Sequence, residues 1–208
     1  MWLVVLKGLP GSGKSTIGRV LSKQLRWPLI DKDDARDLFE NQTPGTGGLA
    51  YDIMFNIARR QLLQELSVIC DSPLTGHMGY ERAQAIATET CAFLVLIECT
   101  CSDESLLRQR ITARQTFGLP PHHQTDWNRF EAYRRFYLSQ DTYAITHPHL
   151  VVDTVKPLGE CLVEIMQWFE HLSDVFGRPF TKISEPDGCA RRMGSNILSS
   201  LDMKGDHD

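Results

Sequence analysis

No apolar run in this 208-residue chain approaches the roughly 20 residues that cross a membrane, and the first glycine, Gly8, comes too early for a cleavable leader. A cytoplasmic protein with no membrane partner is the expectation. Positive charge is not in excess: 22 Lys and Arg face 26 Asp and Glu, a net charge of -4. No global field therefore draws the chain onto nucleic acid or an anionic surface, and any polyanion must be met locally. There is no Cys-x-x-Cys. The six cysteines (Cys70, Cys91, Cys99, Cys101, Cys161, Cys189) are scattered without metal spacing and read as reduced and structural. The pairs His122-His123 and His147/His149 have no cysteine or carboxylate at ligand spacing, so surface or loop positions are expected for them. No internal repeat is visible. With 42% hydrophobic residues, the length suits one core and one domain.

Short runs rich in Val, Ile and Leu are present at Leu3 to Leu6, Leu29-Ile30, Ser67 to Cys70, Phe93 to Glu98 and Leu150 to Val152. Nearly continuous apolar runs of this length mark buried parallel strands. Helical spacing fills the intervals: Ile17 to Leu25, Leu49 to Leu66, Glu81 to Thr90, Asp103 to Arg114, Phe130 to Tyr137 and Leu158 to Leu172. Strand and helix alternate, which predicts an α/β fold, a doubly wound parallel sheet in three αβα layers. Residues 1–172 are expected to form the domain. Gln115 to Trp127, with Gly118, Pro120 and Pro121, reads as a lid over a site, spanning about 114–128. Residues 173–208 read as a C-terminal extension, a disordered tail from about Thr181.

The segment Gly8-Leu9-Pro10-Gly11-Ser12-Gly13-Lys14-Ser15 fits G-x-x-x-x-G-K-[ST], directly after an apolar strand and before a helical stretch. Glycine is required there because the backbone must turn sharply and press its N–H groups onto phosphate oxygens. Gly11, Ser12, Gly13, Lys14, Ser15 and Thr16 are thus the expected triphosphate cradle, with Lys14 reaching the outer phosphates and Ser15 contacting Mg²⁺. Leu29 to Arg36 ends a strand in Asp31, Asp33 and Asp34, carboxylates that should face the bound phosphates. One can accept a proton from an attacking hydroxyl, and each equally fits an N-cap of the helix that follows. Asp71, ending another apolar run before Ser72-Pro73, suits a water-mediated Mg²⁺ contact or a plain strand-ending turn. Arg110 and Arg114 share a helical face leading into the lid, and Arg129, Arg134 and Arg135 follow it, which fits either a solvated charged face or a phosphate clamp over the site. Tyr51, Phe55, Arg59 and Arg60 line either an acceptor pocket or plain core.

In order, these motifs resemble the P-loop kinases of the polynucleotide kinase, zeta toxin and gluconate kinase cluster, within the AAA-type ATP-binding P-loop superfamily. The resemblance is nearest to the 5′-hydroxyl polynucleotide kinase domain. It rests on Gly8 to Thr16, Lys32-Asp33-Asp34-Ala35-Arg36, Asp71-Ser72-Pro73-Leu74 with Glu81-Arg82 beyond, the Arg110/Arg114 pair and Val152-Asp153-Thr154. It implies an ATP:alcohol phosphotransferase using ATP and Mg²⁺. By the same resemblance Asp33 is the general base, Arg36 meets the acceptor, Arg110 lies near the adenine with Thr154 beside the base, and Arg114 stabilises the moving phosphoryl group. Ser15 and Asp71 hold the metal. The acceptor, a small molecule, a nucleoside or a nucleic-acid 5′ end, stays open. A nucleotide-dependent binding or switch protein would use the same loop, although the Asn-Lys-x-Asp segment of guanine readers is absent.

Overall fold

The computed structural model describes residues 1–39, 47–114, 126–140 and 143–179. Within them five strands, β1 (Trp2–Lys7), β2 (Leu29–Asp31), β3 (Val68–Asp71), β4 (Phe93–Thr100) and β5 (His149–Asp153), form one sheet in the order β2-β3-β1-β4-β5. Every pairing is parallel. Because β1 lies between β3 and β4, the chain winds outward in both directions from β1, and a ligand crevice opens at its carboxyl end. The helices are α1 (Lys14–Leu25), α2 (Lys32–Phe39), α3 (Gly47–Leu62), α4 (His77–Thr90), α5 (Glu104–Arg114), α6 (Trp127–Gln140) and α7 (Leu158–Phe176).

β1 is buried on both faces, which explains its lack of polar alternation. Trp2, Val4 and Leu6 pack with Ile17 and Leu21 of α1 and with Ile165 and Phe169 of α7. Leu3 and Val5 pack the other way, on Met54 and Leu62 of α3 and Tyr80 and Ala83 of α4. The expected three-layer fold is the one observed. α3 stops at Leu62, short of the expected Leu66, and Glu65 in the turn has φ 63°. α7 runs four residues past Leu172 to Phe176, whose ring lies 5.0 Å from Phe93, and Gly177 in the left-handed region closes it. The lid core at 115–125 and the tail from 180 lie outside the described residues. Among the described residues no helix is long and apolar enough to cross a membrane.

Candidate active site

The register lines up the strand ends that build the site. Leu6 of β1 pairs with Asp71 of β3, and Asp71 pairs with Asp31 of β2. The glycine-rich loop leaves β1 one residue later, so its backbone and both carboxylates share one edge of the sheet. Gly8 has φ 137°, and a Cβ there would stand 2.3 Å from the Cys99 carbonyl oxygen. Only glycine fits. Gly13, in the left-handed region at φ 86°, precedes α1 and offers no side-chain cap, so the positive end of the helix is open to an anion, with the Thr16 N–H donating to the Gly13 carbonyl at 3.1 Å.

Lys14 is buried at 8% exposure and donates to the Leu9 carbonyl oxygen at 3.0 Å. Burial pushes its pKa down, while Asp71 pulls it up. An ammonium held this way has a strong reason to meet phosphate. Asp71 is 2% exposed, and its Oδ2 has no hydrogen-bond partner among the described residues. An orphaned buried carboxylate oxygen is costly, and a hard cation at that oxygen relieves the cost. Ser15 lines the same cavity, so the oxygen donor set fits Mg²⁺.

The capping question of α2 is settled by its amide. Asp33 N–H donates to Asp31 Oδ1 at 2.9 Å, so Asp31 takes the capping part and the Asp33 carboxylate is left for the cavity. Burial, then the neighbouring Asp71, pushes the Asp31 pKa up to about 7, against the lowering effect of the Asp33 amide. Asp33 pairs with Lys32 at 3.0 Å.

Lys14, Ser15, Asp33, Arg36, Asp71 and Arg114 line one cavity of about 290 Å³. Gly11, Gly13, Thr16, Arg110, Arg114 and Thr154 line a second of about 400 Å³. Arg114 borders both, so two chambers meet at one guanidinium. Burial lowers the pKa of Arg114, and Asp33 and Asp71 oppose the shift. Arg110 is anchored by Thr154, donating to its hydroxyl at 2.8 Å and its carbonyl at 2.9 Å. The Thr154 hydroxyl proton lies within reach of the Ser12 and Thr100 carbonyls, both at 2.9 Å, tying α5 and β5 to the loop. Of the expected cradle residues, Ser12 lines neither chamber; it is buried at 2% exposure.

The site has further residues from beyond the lid, of which sequence reading named Arg129 alone. Arg129, Phe130 and Tyr133 of α6 wall the smaller chamber, and Tyr133 shares a 2.8 Å hydrogen bond with the Thr75 hydroxyl. Burial raises the Tyr133 pKa. Their signal in the sequence is the i, i+1, i+4 spacing beyond the lid. Arg134 and Arg135, candidates beside Arg129 for a clamp, line neither chamber. Glu81 and Arg82 sit outside the site, in ion pairs with His77 (3.3 Å) and Asp52 (2.9 Å). Of the histidines expected in surface or loop positions, His147 lies in the loop before β5, while His149 is the first residue of β5. Parallel pairing of β5 on β4 brings His149 within 3.0 Å of Glu98 Oε2, and His147 Nδ1 lies 2.7 Å from the Tyr80 hydroxyl. His122 and His123 lie outside the described residues.

The chain is similar to known proteins in sequence or in fold. Over 60 residues, 29% of the chain, the sequence is 43% identical to a shikimate kinase of Corynebacterium glutamicum, a match spanning about a third (34%) of that curated relative's length. A structure from Chloroflexus aurantiacus J-10-fl superposes with a TM-score of 0.65 at 22% identity, covering 80% of this chain and 97% of that one. A gluconokinase from Sinorhizobium meliloti 1021 gives 0.58 at 17% identity over 85% and 95% of the two chains. Chaetomium thermophilum Kti12 in complex with ADP-AlF3 gives 0.61 at 15% identity over 79% and 97%. These structures share the fold. A family model described as an AAA domain matches residues 3–137, most of the chain, running from Leu3 of β1 through β4 with the loop and both carboxylate-bearing strand ends, and the chain belongs to that AAA domain family.

Proposed function

We propose that the chain is an ATP-dependent phosphotransferase that moves the γ-phosphoryl group in line to the hydroxyl of a compact acceptor. The observation that carries this reading is the smaller chamber, which gathers a phosphate-loop lysine, a buried orphan carboxylate, two further carboxylates and three arginines around one space. Hydrolysis alone has no need of an acceptor wall.

Each residue then has a part. Gly11 to Thr16 wrap the triphosphate, and Lys14 turns from Leu9 to the outer phosphates. Ser15 and Asp71 would hold Mg²⁺, which would supply neutralisation of phosphate charge when bound. Asp33 takes the acceptor hydroxyl proton as the new O–P bond forms and the bond to the ADP oxygen breaks. Arg114, at the junction of the chambers, offsets charge on the moving group, while Arg110 and Thr154 border the nucleoside side. Arg36 meets the acceptor. A chamber of about 290 Å³ that also admits a phosphoryl group is at the low end for small-molecule sites, which supports a sugar-sized acceptor over a polynucleotide strand. The names of two similar proteins, shikimate kinase and gluconokinase, supply the first acceptors to try.

Purified protein with γ-labelled ATP and Mg²⁺ is offered shikimate, gluconate, glycerol, adenosine and a 5′-hydroxyl oligonucleotide, with Lys14→Ala as blank. Label passing to a small alcohol is the expected result. ATP bound with no label moved to any acceptor would overturn the reading in favour of a nucleotide-dependent switch.

A further inference from the structure

Lys32 has no part in the mechanism above, yet it is a lysine at 5% exposure on the wall of the smaller chamber. A buried ammonium is tolerated only when its charge is met. Two groups meet it here. Its Nζ lies 3.0 Å from Asp33 Oδ1 and 5.5 Å from the centroid of the Tyr51 ring, within range of a cation–π contact.

The Tyr51 ring is a fixed platform. It stacks on Phe55 at 6.3 Å and 20° in the α3 core, and its hydroxyl oxygen accepts the Thr75 N–H at 3.4 Å. Thr75 is tied in turn to Tyr133 of α6. Burial keeps the phenol protonated by raising its pKa, so the ring face presents no competing charge. The ammonium is thus held between a rigid aromatic face and the Asp33 carboxylate.

Such a clamp has a use, because Asp33 faces competing partners. Asp31 and Asp34 flank it on the chain; Lys14 of α1, Arg114 of α5 and Tyr133 of α6 feel its charge, and Asp71 of β3 and Arg36 share its cavity. A carboxylate free to swing onto Lys14 or Arg114 would neutralise the cations meant for phosphate and lose its aim at the acceptor hydroxyl. We propose that Lys32, braced on Tyr51, is a positioning residue that holds the Asp33 carboxylate toward the acceptor and away from Lys14 and Arg114. The inference rests on the phosphotransferase reading and names a device within that site.

Its test measures label transfer from γ-labelled ATP to shikimate, gluconate and water for wild type, Lys32→Met, Lys32→Arg and Tyr51→Leu. Misplacing a catalytic group by about 1 Å costs on the order of a hundredfold. Lys32→Met is expected to lower kcat by about ten- to a hundredfold with KM for ATP within about twofold of wild type. Lys32→Arg, which keeps the charge and the ring contact, restores at least about a third of the rate. Tyr51→Leu lowers kcat by about three- to tenfold and serves as the deciding variant if Lys32→Met does not fold. Wild-type kcat in Lys32→Met or in Tyr51→Leu overturns the inference. So does a Lys32→Arg rate as low as that of Lys32→Met, which would mark a merely structural lysine. Failure of the underlying reading looks different: the wild type itself would then move no label to shikimate, gluconate or any other acceptor.

Discussion

Asp31 and Asp33 stand two residues apart and have separate fates, because the hydrogen bond from Asp33 N–H turns Asp31 into the cap of α2. Asp31 also illustrates what a carboxylate costs in this place. Its ordinary pKa of 3.8 rises to about 7 in the fold through burial and the nearby Asp71. A carboxyl whose pKa is raised on folding favours the protonated form, so its contribution to stability is complete below about pH 3.8 and is lost as pH rises through about 7. Asp31→Asn keeps an oxygen for the Asp33 amide but cannot ionise. In EDTA its melting temperature is expected to gain on wild type as pH rises, by at least about 2 °C between pH 5 and pH 8. Parallel curves across that range would contradict the assigned cause. The residues alone left three candidate carboxylates unsorted, and only the resemblance singled out Asp33, since capping depends on an amide direction set only when β2 pairs with β3. Lys14, by contrast, was legible from spacing alone, because the glycine-rich loop carries its own geometric requirement.

At the scale of elements, α5 and α6 bind the loop to the wall of the smaller chamber through a small core of their own. Leu107, Ile111 and Phe130 are buried together, with Leu9 of the loop and Trp127 packed against them. The contact is close: a Cβ on Gly11 would meet Leu107 Cδ1 at 2.9 Å and Ile111 Cδ1 at 3.1 Å. Arg108 lies over the Trp127 ring at 4.5 Å, a second link between the two helices. Phe130 is fully buried, so Phe130→Ala is expected to cost about 3–5 kcal/mol by urea unfolding. A cost under about 1 kcal/mol would mean that α6 is not packed as described. Here the sequence was only partly readable. The Arg110/Arg114 spacing pointed to the loop, but nothing local in Arg129 to Tyr133 says that this helix returns to the same chamber. That return is a tertiary contact, and helical periodicity is blind to it.

For the whole molecule, the alternation of apolar runs and helical stretches was enough to define the layers, because parallel strands buried on both faces have no polar side to blur the pattern. Register was not legible, and register is what brings Asp31, Asp71 and the loop to one edge. It also buries Lys7 at 1% exposure against Glu98 at 2.7 Å, with His149 on the far carboxylate oxygen. Burial raises the Glu98 pKa, but its hydrogen bonds to His149 and Lys7 outweigh this and leave it lowered. The same edge makes one site of motifs scattered from Gly8 to Thr154. The most direct measurement of that site's proposed chemistry pairs calorimetric ATP binding with γ-label transfer for Asp33→Ala, using the acceptor that wild type labels best. Affinity for ATP within about twofold of wild type, with transfer abolished, is the predicted result. Unchanged transfer in Asp33→Ala would contradict it.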